Sequence, residues 1–140
     1  MNNDQMMKDI LLSARTIASV GLSSNQEKES YWIVLYLKEQ GYRIIPVNPT
    51  ADEILGEKAY PDLESIPEKI DVVQVFRKPE DVPPVVDSAI KVGAKVVWMQ
   101  EGIVHEEAAQ KAREGGLQVV MDACMRMTHR RLIGAKPINI

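Results

Sequence analysis

Apolar residues along this chain fall into two alternating rhythms. Five short runs have the length and β-rich make-up of strands. They are Thr16-Ile17-Ala18-Ser19-Val20, Tyr42-Arg43-Ile44-Ile45-Pro46-Val47, Asp71-Val72-Val73-Gln74-Val75-Phe76, Lys95-Val96-Val97-Trp98-Met99 and Leu117-Gln118-Val119-Val120-Met121. Between them apolar residues recur every three or four positions, the spacing of a helix with one buried face. Residues 4–14 place Met6, Met7, Ile10, Leu11 and Ala14 this way, with Asp4 as the candidate cap. Residues 27–40 carry Trp32, Ile33, Leu35, Tyr36 and Leu37 and stop at Gly41. Residues 80–92 repeat the period with Val82, Val85, Val86, Ala89 and Ile90, and Gly93 follows. Further helices are predicted over 105–114 and from about Cys124 to Leu132, the last with Asp122 as its candidate cap. Residues 50–67 are the least regular, with a loop at 54–56, a short extended piece at 58–61 and one helical turn at 63–67.

Strands that are apolar almost throughout are covered on both faces, so the sheet is expected to be parallel. Right-handed crossovers then give an α/β fold, a doubly wound open sheet of five strands of Rossmann-like type. The expected order is 3-2-1-4-5, counting strands along the chain. Pro46 inside the second strand is a warning, because proline cannot donate a ladder hydrogen bond, but it lies near the strand end. Ligands of such sheets sit outside the carboxyl ends, where the order reverses. That point is expected between the first and fourth strands.

Composition narrows the ligand. The chain has 140 residues, about the modal size of one domain, and is read as one domain with a core over about 14–132. Net charge is −3 with the signs interspersed, so no basic stripe recommends a nucleic-acid partner. No apolar run approaches the ~20 residues of a membrane span, and the first residues lack a signal-peptide layout. A single cysteine, Cys124, fits a reducing cytoplasm. His105, His129 and Cys124 have no metal-ligand spacing. An anionic ligand would therefore be met locally, by backbone amides and a few cations.

The first turn, Gly21-Leu22-Ser23-Ser24-Asn25, leads from a strand towards a helix, and that arrangement presents N–H groups to an anion. Only the first glycine of the G-x-G-x-x-G dinucleotide fingerprint is present. The second strand ends in Asn48-Pro49, not in the carboxylate that holds a free ribose diol. A ribose that already carries a phosphate suits such a site better. Ser23 and Ser24 offer hydroxyls, and the nearest cations are Arg77, Lys78 and Arg15.

Five segments occur in order at these strand ends. They are Val20-Gly21-Leu22-Ser23, Val47-Asn48-Pro49, Val75-Phe76-Arg77-Lys78-Pro79, Val96-Val97-Trp98-Met99-Gln100-Glu101-Gly102-Ile103 and Asp122-Ala123-Cys124-Met125. Together they resemble the small single-domain CoA-binding proteins, which are similar to the CoA-binding domain of the succinyl-CoA synthetase α-subunit. The resemblance implies coenzyme A, or an acyl-CoA, at the carboxyl edge. It implies that Gly21, Ser23 and Ser24 hold the phosphates and that Asn48 and Pro49 border the nucleotide. Phe76, Arg77, Lys78 and Pro79 would contact the adenosine region. Gln100, Glu101 and Gly102, with Cys124 and Met125, would lie towards the pantetheine arm. Two departures stand out. No cation follows Asn48-Pro49, where Thr50-Ala51-Asp52-Glu53 stands, and the chain ends before the synthetase's phosphorylated-histidine domain, so ligase activity is not implied.

The remaining residues have plainer readings. Trp98 is core, His105 is surface, and His129 is a cationic helix end. Cys124 is a small buried group near a helix start, where the helix field favours an anion. If the pantetheine sulfur reaches it, a mixed disulfide with CoA can form from oxidised CoA. No nucleophile–base–orienter set is visible, so the expectation is a binding module without catalytic residues or a metal. The alternatives are a small NAD(P)-binding oxidoreductase and a CoA-transferring subunit working with a partner chain. A homo-oligomer stays open.

Overall fold

The structure, a computed structural model, describes residues 2–135. The expected loose tail from Gly134 onward lies outside the described residues from position 136. Helix α1 (Asp4–Ser13) starts under Asn3, whose side-chain oxygen accepts from Met6 N at 2.7 Å, so Asn3 and not Asp4 is the cap. Strand β1 (Thr16–Val20) follows, and then a loop, residues 21–28, longer than the turn expected from the sequence. Helix α2 (Glu29–Glu39) leads into β2 (Arg43–Val47).

Residues 50–67 form a small hairpin, β3 (Glu53–Ile54) with β4 (Glu57–Lys58), and one 3-10 turn over Leu63–Ser65. Strand β5 (Val72–Val75) passes through a 3-10 turn to α3 (Val82–Lys91), whose start tolerates proline because its first N–H groups need no partner. Strand β6 (Val96–Met99), α4 (Glu106–Glu114), β7 (Gln118–Val120) and α5 (Met125–Leu132) complete the chain. His105 caps α4, its Nδ1 accepting from Ala108 N at 3.0 Å.

Five strands pair in parallel in the order β2-β1-β5-β6-β7. The sheet is thus open, parallel and wrapped by helices on both faces, as expected, but the strand order is not. Counting its five strands along the chain it is 2-1-3-4-5, and β5 takes the place beside β1 that was expected for β6. The order therefore reverses between β1 and β5, which moves the predicted ligand position by one strand.

Pro46 explains why β2 stands at an edge. Its carbonyl accepts from Tyr60 N at 3.0 Å, on the side away from β1. Backbone N and C=O of one strand residue point the same way, so the nitrogen without a proton faces that same outer side. Among the described residues only Tyr60 pairs there.

Alternate residues of each strand feed two cores. Ala18, Val20, Val73, Val75, Val97 and Met99 pack with α3 and α4. Ile17, Ile44, Val72, Val96, Trp98 and Val120 pack with α1, α2 and α5. Trp98 is wholly buried, as its strand position predicted, and donates Nε1–H to Ala123 O at 2.8 Å. His129 departs from expectation. It lies buried on α5, shares a 2.9 Å hydrogen bond with Tyr36 Oη through Nδ1, and meets Tyr36 and Tyr42 edge to face.

At the amino edge Asp71 Oδ2 accepts from Arg15 N at 2.8 Å and Thr16 N at 3.0 Å, and Lys95 Nζ stands 3.6 Å from Oδ1. Burial pushes the Asp71 carboxyl up. The two N–H donors and the Lys95 ammonium outweigh burial and hold it below the usual range. Arg15 therefore belongs to this edge, opposite the mouth where the sequence had placed it.

Candidate functional site at the carboxyl edge of the sheet

Gly21 turns the chain out of β1 with φ at 88°, a region that L residues with a side chain avoid. Its N–H donates to Val47 O at 3.0 Å. A Cβ there would stand 3.0 Å from the Phe76 carbonyl oxygen, so the β1 and β5 loops touch only because this residue is glycine. The loop after it is held by side chains. Ser23 Oγ accepts from Asn25 N at 3.0 Å, Asn25 Oδ1 accepts from Glu27 N at 2.9 Å, and Ser30 Oγ of α2 accepts from Ser23 N at 3.3 Å. Among the described residues the N–H groups of Leu22, Ser24 and Gln26 have no acceptor. Ser24 is exposed on the loop surface.

Asn48 ties this loop to the end of β2. Its Nδ2 donates to Leu22 O at 3.0 Å, and its Oδ1 accepts from Thr50 N at 2.8 Å, Thr50 Oγ1 at 3.0 Å and Ala51 N at 3.2 Å. Both polar atoms of this side chain are engaged, so it shapes the two loops, and one N–H of Nδ2 remains uncommitted. Pro49 is exposed beside it.

Phe76 and Arg77 are consecutive and point to opposite faces of the sheet edge. Phe76 lines a cleft of about 360 Å³ that Glu29, Ser30, Gln100, Ile103 and Cys124 also border. Arg77 lines a second cleft of about 200 Å³, whose walls include Val20, Val47, Leu63, Pro84 and Val85. The Gly21–Phe76 contact stands between them. Lys78 and Pro79 are exposed and border neither.

Behind the larger cleft runs a buried polar chain. Ser19 Oγ donates to Gln74 Oε1 at 2.8 Å, and Gln74 Nε2 donates to Gln100 Oε1 at 3.1 Å. Gln100 Oε1 also accepts from Met125 N at 2.9 Å, the first N–H of α5. A backbone N–H can only donate, so this contact sets which end of the Gln100 amide is oxygen. Gln100 Nε2 is then left without an acceptor among the described residues, and Gln100 borders the cleft. The sequence had flagged Gln100 but not Gln74 or Ser30. A glutamine alone among valines in a buried strand was the available signal, since a buried amide needs partners.

Cys124, and not Asp122, is the N-cap residue of α5. Asp122 instead takes φ of 56° and its Oδ1 accepts from Gly102 N at 2.7 Å, joining the β6 and β7 loops. The Met125 side chain is wholly buried and only its backbone approaches the cleft. Phe76, Gln100 and Cys124 are therefore brought together around one cleft, with Gly21 packed against the Phe76 backbone and Arg77 on the other face. Pro49, Lys78, Pro79 and Gly102 stay on the rim. No three His, Cys, Asp or Glu side chains cluster for a metal among the described residues.

A family model described as a CoA binding domain matches residues 15–130. The chain belongs to the CoA-binding domain family. The uncharacterized protein YneT of Bacillus subtilis is 43% identical over 123 residues, which is 88% of this chain and 91% of that one. A hypothetical protein from Pyrococcus horikoshii superposes with a TM-score of 0.92 at 44% identity, over 95% of this chain and 94% of its own. An ADP-forming acetate–CoA ligase II of Archaeoglobus fulgidus is 34% identical over 99 residues, which is 69% of this chain but 15% of the ligase. This member of the CoA-binding domain family thus matches small proteins along nearly their full length and large ligases over one segment. No described helix is long and apolar enough to cross a membrane.

Proposed function

We propose that the chain binds coenzyme A or an acyl-CoA along this carboxyl edge and does no chemistry on it. The observation that carries the reading is the pair of clefts bordered by the consecutive residues Phe76 and Arg77, in a fold of the CoA-binding domain family. A pyrophosphate suits the 21–26 loop, where the N–H groups of Leu22, Ser24 and Gln26 and the Ser23 and Ser24 hydroxyls are the donors at hand. The apolar walls of the smaller cleft suit an adenine, and Arg77 is its cation for a ribose phosphate. The larger cleft, with Phe76, Ile103 and Gln100, suits the pantetheine arm, whose amides alternate with apolar links.

The partners of the two histidines support a non-catalytic role. His105 is spent capping α4, and His129 bonds Tyr36 in the interior. The cytoplasm is the compartment that fits a single free cysteine.

Calorimetric titration with CoA, acetyl-CoA, dephospho-CoA, NAD and NADP tests the reading. CoA and acetyl-CoA are expected to bind, dephospho-CoA more weakly, and the two nicotinamide dinucleotides least. Preferential binding of NAD would replace this reading with the oxidoreductase one.

A further inference from the structure

Cys124 is the sole cysteine, is 8% exposed, and borders the larger cleft at the N-terminus of the eight-residue helix α5. Gln100, only 4% exposed, is fixed by Gln74 and Met125 so that its Nε2–H₂ is uncommitted at the same cleft. An amide donor left open at the wall of a cleft matches a carbonyl acceptor on whatever fills it. Amide carbonyls recur along a pantetheine arm, and that arm ends in a thiol. The Met125 N–H that orients Gln100 belongs to the residue next to Cys124, so the donor and the thiol are held to one another through α5.

We propose that the larger cleft brings the sulfur end of a CoA disulfide to Cys124 and that the two exchange. This rests on the CoA-binding reading above. The Cys124 thiolate attacks one sulfur of the CoA disulfide. A new S–S bond joins Cys124 to that CoA, the original S–S bond breaks, and the second CoA leaves as a thiolate that takes up the proton Cys124 released. Cys124 is oxidised and the departing CoA is reduced, so no other oxidant enters. The product is a chain carrying CoA covalently, and free thiols reverse it. The protein would then hold CoA reversibly in its reduced form and covalently when CoA disulfide accumulates.

Intact-mass spectrometry of the full chain tests this. The chain is incubated with CoA disulfide or with oxidised glutathione, folded and in denaturant, and CoA binding is measured in parallel by calorimetry. The folded chain is expected to gain one CoA at Cys124, lost again on adding a reductant. It should do so roughly tenfold or more faster with CoA disulfide than with glutathione disulfide, because the cleft holds the reacting sulfurs together. In denaturant that preference should disappear, and reduced CoA should slow the folded reaction. Equal rates for the two disulfides on the folded chain would overturn the proposal. So would the absence of any adduct while CoA binds. Absence of both adduct and CoA binding would overturn the CoA-binding reading as well.

Discussion

Asp71 and Asn48 each tie neighbouring segments together, one at the amino edge of the sheet and one at the carboxyl edge. Asp71 takes the N–H groups of Arg15 and Thr16 and the Lys95 ammonium. Around it Arg43 N donates to Arg15 O and Gln118 N donates to Lys95 O, so backbone groups find partners there. Asn48 also makes several bonds, but it works on loop carbonyls and on N–H groups of its own turn. It leaves three N–H groups of the 21–26 loop without acceptors, and at the larger cleft of the same edge Gln100 Nε2 is also uncommitted. Two edges of one sheet, built with similar staples, thus differ in what they leave open. A sheet end that uses up its donors serves stability, and one that keeps them aimed outward can serve a ligand.

Substitutions can break that contrast, and the largest effect is expected at Gly21. Gly21→Val puts a β-branched side chain at a φ of 88° and against the Phe76 carbonyl. A loss of about 3 kcal/mol in folding stability and loss of CoA binding are expected, read by urea denaturation and calorimetry. Stability and affinity close to those of the parent chain would show that the two loops can part without consequence.

Asn48→Ala comes next. It removes the bond to Leu22 O and strands the Thr50 and Ala51 N–H groups. A loss of about 2 kcal/mol is expected, together with weaker CoA binding, because the 21–26 loop loses its anchor. Weaker folding with unchanged affinity would confine Asn48 to the β2 turn.

The smallest effect belongs to the amino edge and concerns pH. The folded Asp71 carboxyl lies below its ordinary 3.8, so its contribution is fully present above that value and is lost as pH falls through the lower, folded value. Urea midpoints measured from neutral pH into that acid range should fall. Asp71→Ala should flatten this part of the decline while leaving CoA affinity near neutral pH unchanged. An identical acid decline in parent and variant would mean that Asp71 contributes nothing through its charge.

Much of this architecture was legible along the chain. The five apolar runs became five parallel strands, Trp98 became core, and the segment ends carrying Gly21, Asn48, Phe76, Gln100 and Cys124 lie at one edge. Where the reading failed, a local signal had been outweighed. Pro46 argued for an edge strand and was set aside as lying near a strand end, and the strand order went wrong with it. His129 was read from its charged neighbours Arg130 and Arg131, although the helix turns its side chain towards Tyr36 and Tyr42. Asp122 was read as a cap from its place before a helix, but at its φ of 56° it reaches Gly102 instead.

The alternation of apolar runs and helical periods settled the class of fold, because burying both faces of a strand and one face of a helix is a property of each segment alone. Which strand neighbours which was decided by the packed molecule, where Ser19 found Gln74 and Gln74 found Gln100. So was the splitting of the ligand edge into two clefts, with Phe76 on one side and Arg77 on the other. Such choices depend on partners far apart along the chain, and short-range pattern carries no record of them.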